Sequence, residues 1–122
     1  MRRIWPTAIL ALMLAVPALA HEMAKGRNGG RVAEGGNYHV ELVAKGTRVD
    51  VFLTDASDKP VAAAGFKGVA ILLVGGKSQR ISLMPGDDSR LTGSVGATLP
   101  AEPKGAVQIT SPDGKTAQAR FN

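Results

Sequence analysis

The sequence has no cysteine, few aromatic residues and only one long apolar run. The absence of cysteine excludes disulfide bonds, thiolate metal ligands and a cysteine nucleophile. One aromatic residue, Trp5, lies in that apolar run near the start, and the others are Tyr38, Phe52, Phe66 and Phe121. No basic run surrounds any of these four, whereas nucleic-acid sites combine basic residues with stacking aromatic rings. We therefore expect no nucleic-acid partner.

The first twenty residues have the pattern of a secretory signal peptide. Two arginines follow Met1, an apolar run covers residues 4–16, and the small-x-small triplet Ala18-Leu19-Ala20 follows. This run is shorter than the roughly 20 residues that an uncleaved membrane-spanning anchor needs, and a lipoprotein leader would need a cysteine. We expect cleavage after Ala20, export to the periplasm, and a soluble mature protein with no membrane span.

The remaining 102 residues have the usual size of one domain. Loss of the leader removes two arginines and no acidic residue, so the formal charge falls from +5 to +3. The expected organisation is a signal peptide at 1–20, a flexible, glycine-rich segment at 21–30 and one β-domain at 31–122. A modest, scattered positive charge on such a domain does not by itself indicate a polyanionic partner.

The mature sequence consists of short segments in which apolar and polar residues alternate, with glycine-containing turns between most of them. Alternation with period two is the pattern of a half-buried β-strand. Seven segments show it or a fully apolar variant: residues 38–44, 48–54, 67–74, 78–84, 90–95, 106–110 and 116–121. The predicted fold is all-β: an antiparallel, immunoglobulin-like β-sandwich of seven or eight short strands, with a small closed barrel as the alternative.

The same alternation predicts which side chains form the core. Residues 67–74 are apolar on both faces, so that segment is predicted to be a central strand. The predicted core comprises Val40, Leu42, Val49, Val51, Ile71, Leu73, Ile81, Leu83, Val107, Ile109 and Phe121.

Enzymatic motifs are missing from the sequence. It contains no nucleophile elbow and no phosphate-binding loop, and it has only two histidines, so we expect a protein that is not an enzyme.

The two histidines are the most distinctive candidates for chemistry. Cleavage after Ala20 would leave His21 at the amino terminus, where its free amine and imidazole can chelate one metal ion. That nitrogen pair suits Cu(II), and His39 and Glu41, which share one strand face, could complete the site. Met23 or Met84 could add a thioether for Cu(I). Alternatively, His39 is simply solvated and Glu41 pairs with a lysine across the sheet.

Several short motifs also resemble a known group of proteins: Asn28-Gly29-Gly30-Arg31-Val32, Tyr38-His39-Val40-Glu41-Leu42-Val43, Leu53-Thr54-Asp55, Lys59-Pro60-Val61 and Gln118-Ala119-Arg120-Phe121. They resemble small periplasmic proteins of Gram-negative bacteria, and segments near the start of adaptor subunits of heavy-metal efflux pumps. The resemblance implies a role beside copper and other heavy-metal resistance systems, with the residues from Tyr38 to Glu41 as the ligand region.

A fainter likeness links the chain to periplasmic copper-resistance carriers, which are immunoglobulin-like and begin with histidine after maturation. This chain lacks their later Asp-x-His pair and their methionine-rich loop. Together the patterns predict an exported accessory or carrier protein for heavy metals, most of all copper, with metal-efflux or resistance components as partners. The alternative is a structural or interaction module that docks through a sheet edge or loop and binds no metal. The oligomeric state is open.

Overall fold

The computed structural model describes residues 24–87 and 89–122. These residues form antiparallel strands and contain no helix. The described residues therefore include no helix that is long and apolar enough to cross a bilayer. The strands are β1 (Ala24–Lys25), β2 (Arg31–Gly35), β3 (Tyr38–Lys45), β4 (Arg48–Thr54), β5 (Lys67–Val74), β6 (Lys77–Pro85), β7 (Arg90–Ser94), β8 (Gly105–Thr110) and β9 (Thr116–Phe121).

The nine strands form one curled sheet in the order β1-β2-β3-β4-β7-β6-β5-β8-β9. Strand β6 joins its two halves, because residues 77–83 pair with β5 whereas Met84 and Pro85 pair with β7. We call β1, β2, β3, β4 and β7 the first half, and β5, β6, β8 and β9 the second half. Strands β2 and β9 also approach each other, and a Cβ on Gly35 would lie 3.3 Å from the Cβ of Ala119.

The core fills the inside of this curled sheet with aliphatic side chains from both halves. Nine of the predicted core residues are buried there, which confirms the alternation for most strands. The prediction is wrong for Ile71 and Leu73, whose exposed fractions are 39% and 46%. Strand β5 does pair on both edges, with β6 and β8, but only one of its faces is covered. Its inward residues are Ala70, Leu72 and Val74.

The prediction of an all-β, antiparallel fold is confirmed, while the number of strands differs from the seven or eight expected. The additional strands are β1 and β2, which precede the first predicted one. The sequence also predicted a flexible segment at 21–30. Within its described part, β1 pairs with β2 and a turn follows, in which the amide of Gly26 donates to the carbonyl of Gly30 at 2.9 Å. This turn lies against the outer side of β3.

Candidate functional site

A groove of about 850 Å³ runs over the outer face of the first half of the sheet. Its floor consists of side chains that point away from the core on β2, β3 and β4, among them His39, Glu41 and Phe52. Three segments form its rim: residues 24–28, Asp58 with Pro60, and Asp87 with Ser89. Arg27 ties two of these segments together, since its guanidinium donates to the carbonyl oxygen of Asp58 at 3.1 Å. Chain segments that are linked by a hydrogen bond therefore enclose the groove, which is not a flat sheet surface.

His39 lies on β3 in this groove, with one carboxylate beside each ring nitrogen. Its Nδ1 lies 2.9 Å from Oδ1 of Asp58, within hydrogen-bond distance. Its Nε2 lies 3.9 Å from Oε1 of Glu34, the residue directly opposite on β2. The His39 side chain is 29% exposed, while those of Glu34 and Asp58 are mostly exposed. The ring is therefore fixed on one side and open to solvent on the other.

The loop after β4 places Asp58 against His39. Oδ1 of Asp55 accepts hydrogen bonds from the amides of Ser57 at 2.8 Å and Lys59 at 3.0 Å, which fixes a tight turn. These hydrogen bonds, that from Lys59 most of all, hold the pKa of the Asp55 carboxyl below its usual value. Asp58 has a φ of 63°, in the left-handed region where aspartate is better tolerated than most residues. The turn thus directs Asp58 back over the sheet.

Glu41 lies two residues beyond His39 on the same face, but its carboxylate is already bonded. Its Oε2 accepts from the amides of Asn28 at 2.9 Å and Gly30 at 2.8 Å, and its Oε1 accepts from Nδ2 of Asn28 at 3.0 Å. The residue is 6% exposed, and a Cβ on Gly26 would overlap its carboxyl group. Glu41 therefore holds the turn at 26–30 onto the sheet, and both of its oxygens are engaged.

The far end of the groove contains an arginine between two acids. The Arg90 guanidinium lies 2.6 Å from the carboxylate of Asp87, 3.9 Å from that of Asp50, and 6.0 Å from the centre of the Phe52 ring. Asp50 is 3% exposed and also bonds Arg48 and Thr92. Nε of Arg90 is buried and has no hydrogen-bond partner among the described residues. This end is a packed ionic network around an aromatic ring.

The structure brings together some of the residues predicted from the sequence. His39 and Glu41 share one face and both line the groove, as the strand alternation indicated. His21 and Met23 lie outside the described residues, and Met84 is 63% exposed on β6, away from the groove. The described residues contain no group of three or more histidine, cysteine, aspartate or glutamate side chains placed to hold a metal ion. Asp58 and Glu34 approach opposite nitrogens of His39, so they cannot share one ion with it.

Sequence reasoning missed Glu34 and Asp58. Strand alternation in β2 and a hairpin turn at Gly36-Asn37 could have placed Glu34 opposite His39. The position of Asp58 depends on the conformation of the loop, which the sequence indicated only as polar.

Comparison with protein-family models, with curated proteins and with solved structures gives no match for this chain.

Proposed function

We propose that the protein is an exported accessory or carrier protein that binds Cu(II) at the His39 end of the groove. The support comes from the environment of His39, from the signal-peptide pattern and from the resemblance to periplasmic heavy-metal proteins. Metal-efflux or resistance components of the periplasm are the proposed partners. In this proposal the protein is a binding protein and not an enzyme.

The observation that carries the proposal is the carboxylate on the Nδ1 side of His39. Histidines that ligate metals usually donate the other ring N–H to a carboxylate or carbonyl, which fixes the tautomer and the ring orientation. Asp58 is placed for that role at 2.9 Å, which leaves Nε2 as the ligating atom. Glu34, close to Nε2, is the carboxylate available to the same ion, and it takes the place of Glu41 in the proposed site.

The remaining ligands would come from His21. Cleavage after Ala20 places His21 three residues before Ala24, and three extended residues span about 10 Å. Ala24 and His39 line the same groove, so the terminal amine and imidazole would be within reach of His39. Three nitrogens and one carboxylate oxygen form a donor set that suits the tetragonal preference of Cu(II).

Calorimetric titration of Cu(II) into the mature protein and into His39→Ala tests this proposal. We expect His39→Ala to bind at least about tenfold more weakly, because one nitrogen ligand is lost while the terminal chelate survives. Lys45→Ala, at the exposed end of β3, is the control and should bind like the native protein. Binding should weaken as the pH falls from about 8 to about 5, because protons compete for the ligand nitrogens. Equal affinity of His39→Ala and the native protein would contradict the site.

The export part of the proposal has its own test. Mass spectrometry of a periplasmic extract should show a protein that begins at His21. A chain that retains Met1 and fractionates with the membrane would contradict export by a cleaved leader.

The alternative proposal is an interaction module that binds no metal, and the rest of the groove favours it. Val32, Phe52 and Pro60 offer apolar contact surface, while charges of both signs line the rim, and protein interfaces combine an apolar centre with a polar rim. Cu(II) binding no stronger than millimolar by every variant would favour this alternative.

We also propose that the curled sheet belongs to the immunoglobulin-like sandwiches. The support is that β6 pairs with β5 along most of its length and with β7 at its end.

A further inference from the structure

The outer face of the second half of the sheet carries basic and apolar side chains. These side chains point away from the core, so packing of the core does not explain them. Strand register places alternate side chains of β5, β6, β8 and β9 on this outer face. They are Lys67, Val69, Ile71, Leu73, Ser78, Arg80, Ser82, Met84, Ala106, Gln108, Thr110, Thr116, Gln118 and Arg120. We call this set the basic face.

All charges on these four strands have one sign. The strands contain Lys67, Lys77, Arg80 and Arg120 but neither aspartate nor glutamate. Asp87, Glu102 and Asp113, which are close to them in the chain, lie in connecting loops. Among the described residues, no ion pair involves Lys67, Arg80 or Arg120. Within the described part of the chain, no ion pair therefore neutralises the positive charge of the basic face.

An exposed apolar stripe runs through the middle of this face. Ile71 and Leu73 are 39% and 46% exposed, and Val69 continues the stripe along β5. Arg80 is paired directly opposite Ile71 on β6, and Ala106 flanks Ile71 on β8 with Arg120 beyond it on β9. Arginines thus flank the apolar stripe on both sides. Surface side chains of this kind mark a contact site when they form a contiguous patch.

One end of the stripe also has a shallow hollow of about 220 Å³. Lys67, Arg80, Gln108 and Thr110 line it, and each of these side chains can donate a hydrogen bond. A phosphate group matches such a set, since it combines negative charge with several acceptor oxygens.

We propose that the basic face docks onto an anionic phospholipid surface, with headgroup phosphate in this hollow and the apolar stripe against the interface. Charge complementarity supports this occupant, because a surface whose strands carry basic but no acidic residues matches a membrane of the opposite sign.

Flotation of the purified protein with vesicles tests this inference. The probes are vesicles of phosphatidylethanolamine with about one third phosphatidylglycerol, and neutral vesicles of phosphatidylcholine. The double variant Arg80→Glu/Arg120→Glu is compared with Lys25→Glu/Lys45→Glu, a control with the same change in net charge on exposed residues of the first half. All of these proteins are made with the same leader and therefore have the same amino terminus. Differences in vesicle binding between them come from the substitutions alone.

We expect binding to the anionic vesicles only, with a clear loss as NaCl rises from about 50 to about 300 mM, because salt screens surface charge. The Arg80/Arg120 variant should bind at least about tenfold more weakly, and the control variant no more than about threefold. Ile71→Ser should bind several-fold more weakly than native. Equal losses in the two double variants would overturn the proposal, since net charge alone would then explain binding. Absence of binding to the anionic vesicles would also overturn it, and would favour an acidic protein surface as the occupant.

Discussion

The two outer faces of the curled sheet differ in the charges and apolar side chains that they carry. On the first half, charges of both signs occur and most have a partner: Glu41 bonds the turn at 26–30, Asp50 bonds arginines, and His39 bonds Asp58. On the second half, every charge is basic and the apolar stripe of β5 is exposed.

The difference follows from what lies over each face. The turn at 26–30 and the loop at 55–60 fold back over the first half, and they turn a sheet surface into a groove with fixed side chains. No described segment crosses the second half in this way. A covered face can bury a carboxylate such as Glu41 because backbone amides satisfy it, whereas an uncovered face leaves Ile71 and Leu73 in water.

The neighbouring leucines of β5 give the largest expected contrast between the inside of the sheet and the basic face. Leu72→Ala should reduce the free energy of unfolding by about 2–5 kcal/mol, because it leaves a cavity in the core. Leu73→Ala removes a half-exposed side chain and should cost less than about 1 kcal/mol. Urea denaturation of both variants measures this contrast. Equal losses would show that the second half is covered on both faces.

Glu41 and Glu34 provide a similar contrast within the groove. Glu41→Ala should destabilise the fold by about 2–4 kcal/mol, because the amides of Asn28 and Gly30 lose a charged acceptor in a buried position. Glu34 is 85% exposed, so Glu34→Ala should stay within about 0.5 kcal/mol of the native protein. The denaturation midpoints of the two variants measure this difference in stability. A negligible effect of Glu41→Ala would mean that the turn at 26–30 is not held by this carboxylate.

Alternation along the strands predicted most of the fold because covered and uncovered positions differ in hydrophobicity. It predicted the inward side of β3, β4, β6, β8 and β9 correctly. It failed on β5, where Ile71 and Leu73 are as apolar as Leu72. A strand that is apolar on both faces looks the same in sequence whether its second face meets protein, membrane or water.

The site was harder to predict because it depends on how loops fold back. The shared orientation of His39 and Glu41 followed from their spacing on one strand. The engagement of Glu41 did not, because it depends on a turn of residues 26–30 that the sequence suggested to be flexible. Asp58 reaches His39 through a turn fixed by Asp55, and no short-range pattern connects positions 39 and 58.

Asp58 gives a smaller expected effect, on metal affinity rather than stability. Asp58→Asn keeps the size of the side chain but removes the carboxylate beside Nδ1, and loss of such an outer partner usually weakens metal binding by about tenfold or more. We expect a loss at the lower end of that range because Asp58 is largely exposed. Titration with Cu(II) measures it, and Asp113→Asn, in a distant turn, is the control. Unchanged affinity of Asp58→Asn would mean that Asp58 does not orient the ligand.

Addition of one residue before His21 tests whether Cu(II) is held between the amino terminus and His39. The added residue is acetylated, so that it brings no free amine of its own. This change keeps every side chain but converts the amine of His21 into an amide, so the chelate with the His21 imidazole is lost. Calorimetric titration of the extended and native mature proteins is the measurement. We expect the extended protein to bind Cu(II) at least about tenfold more weakly, because an amide must lose a proton before it can ligate. Equal affinity of the two proteins would show that the terminal amine of His21 does not hold the ion.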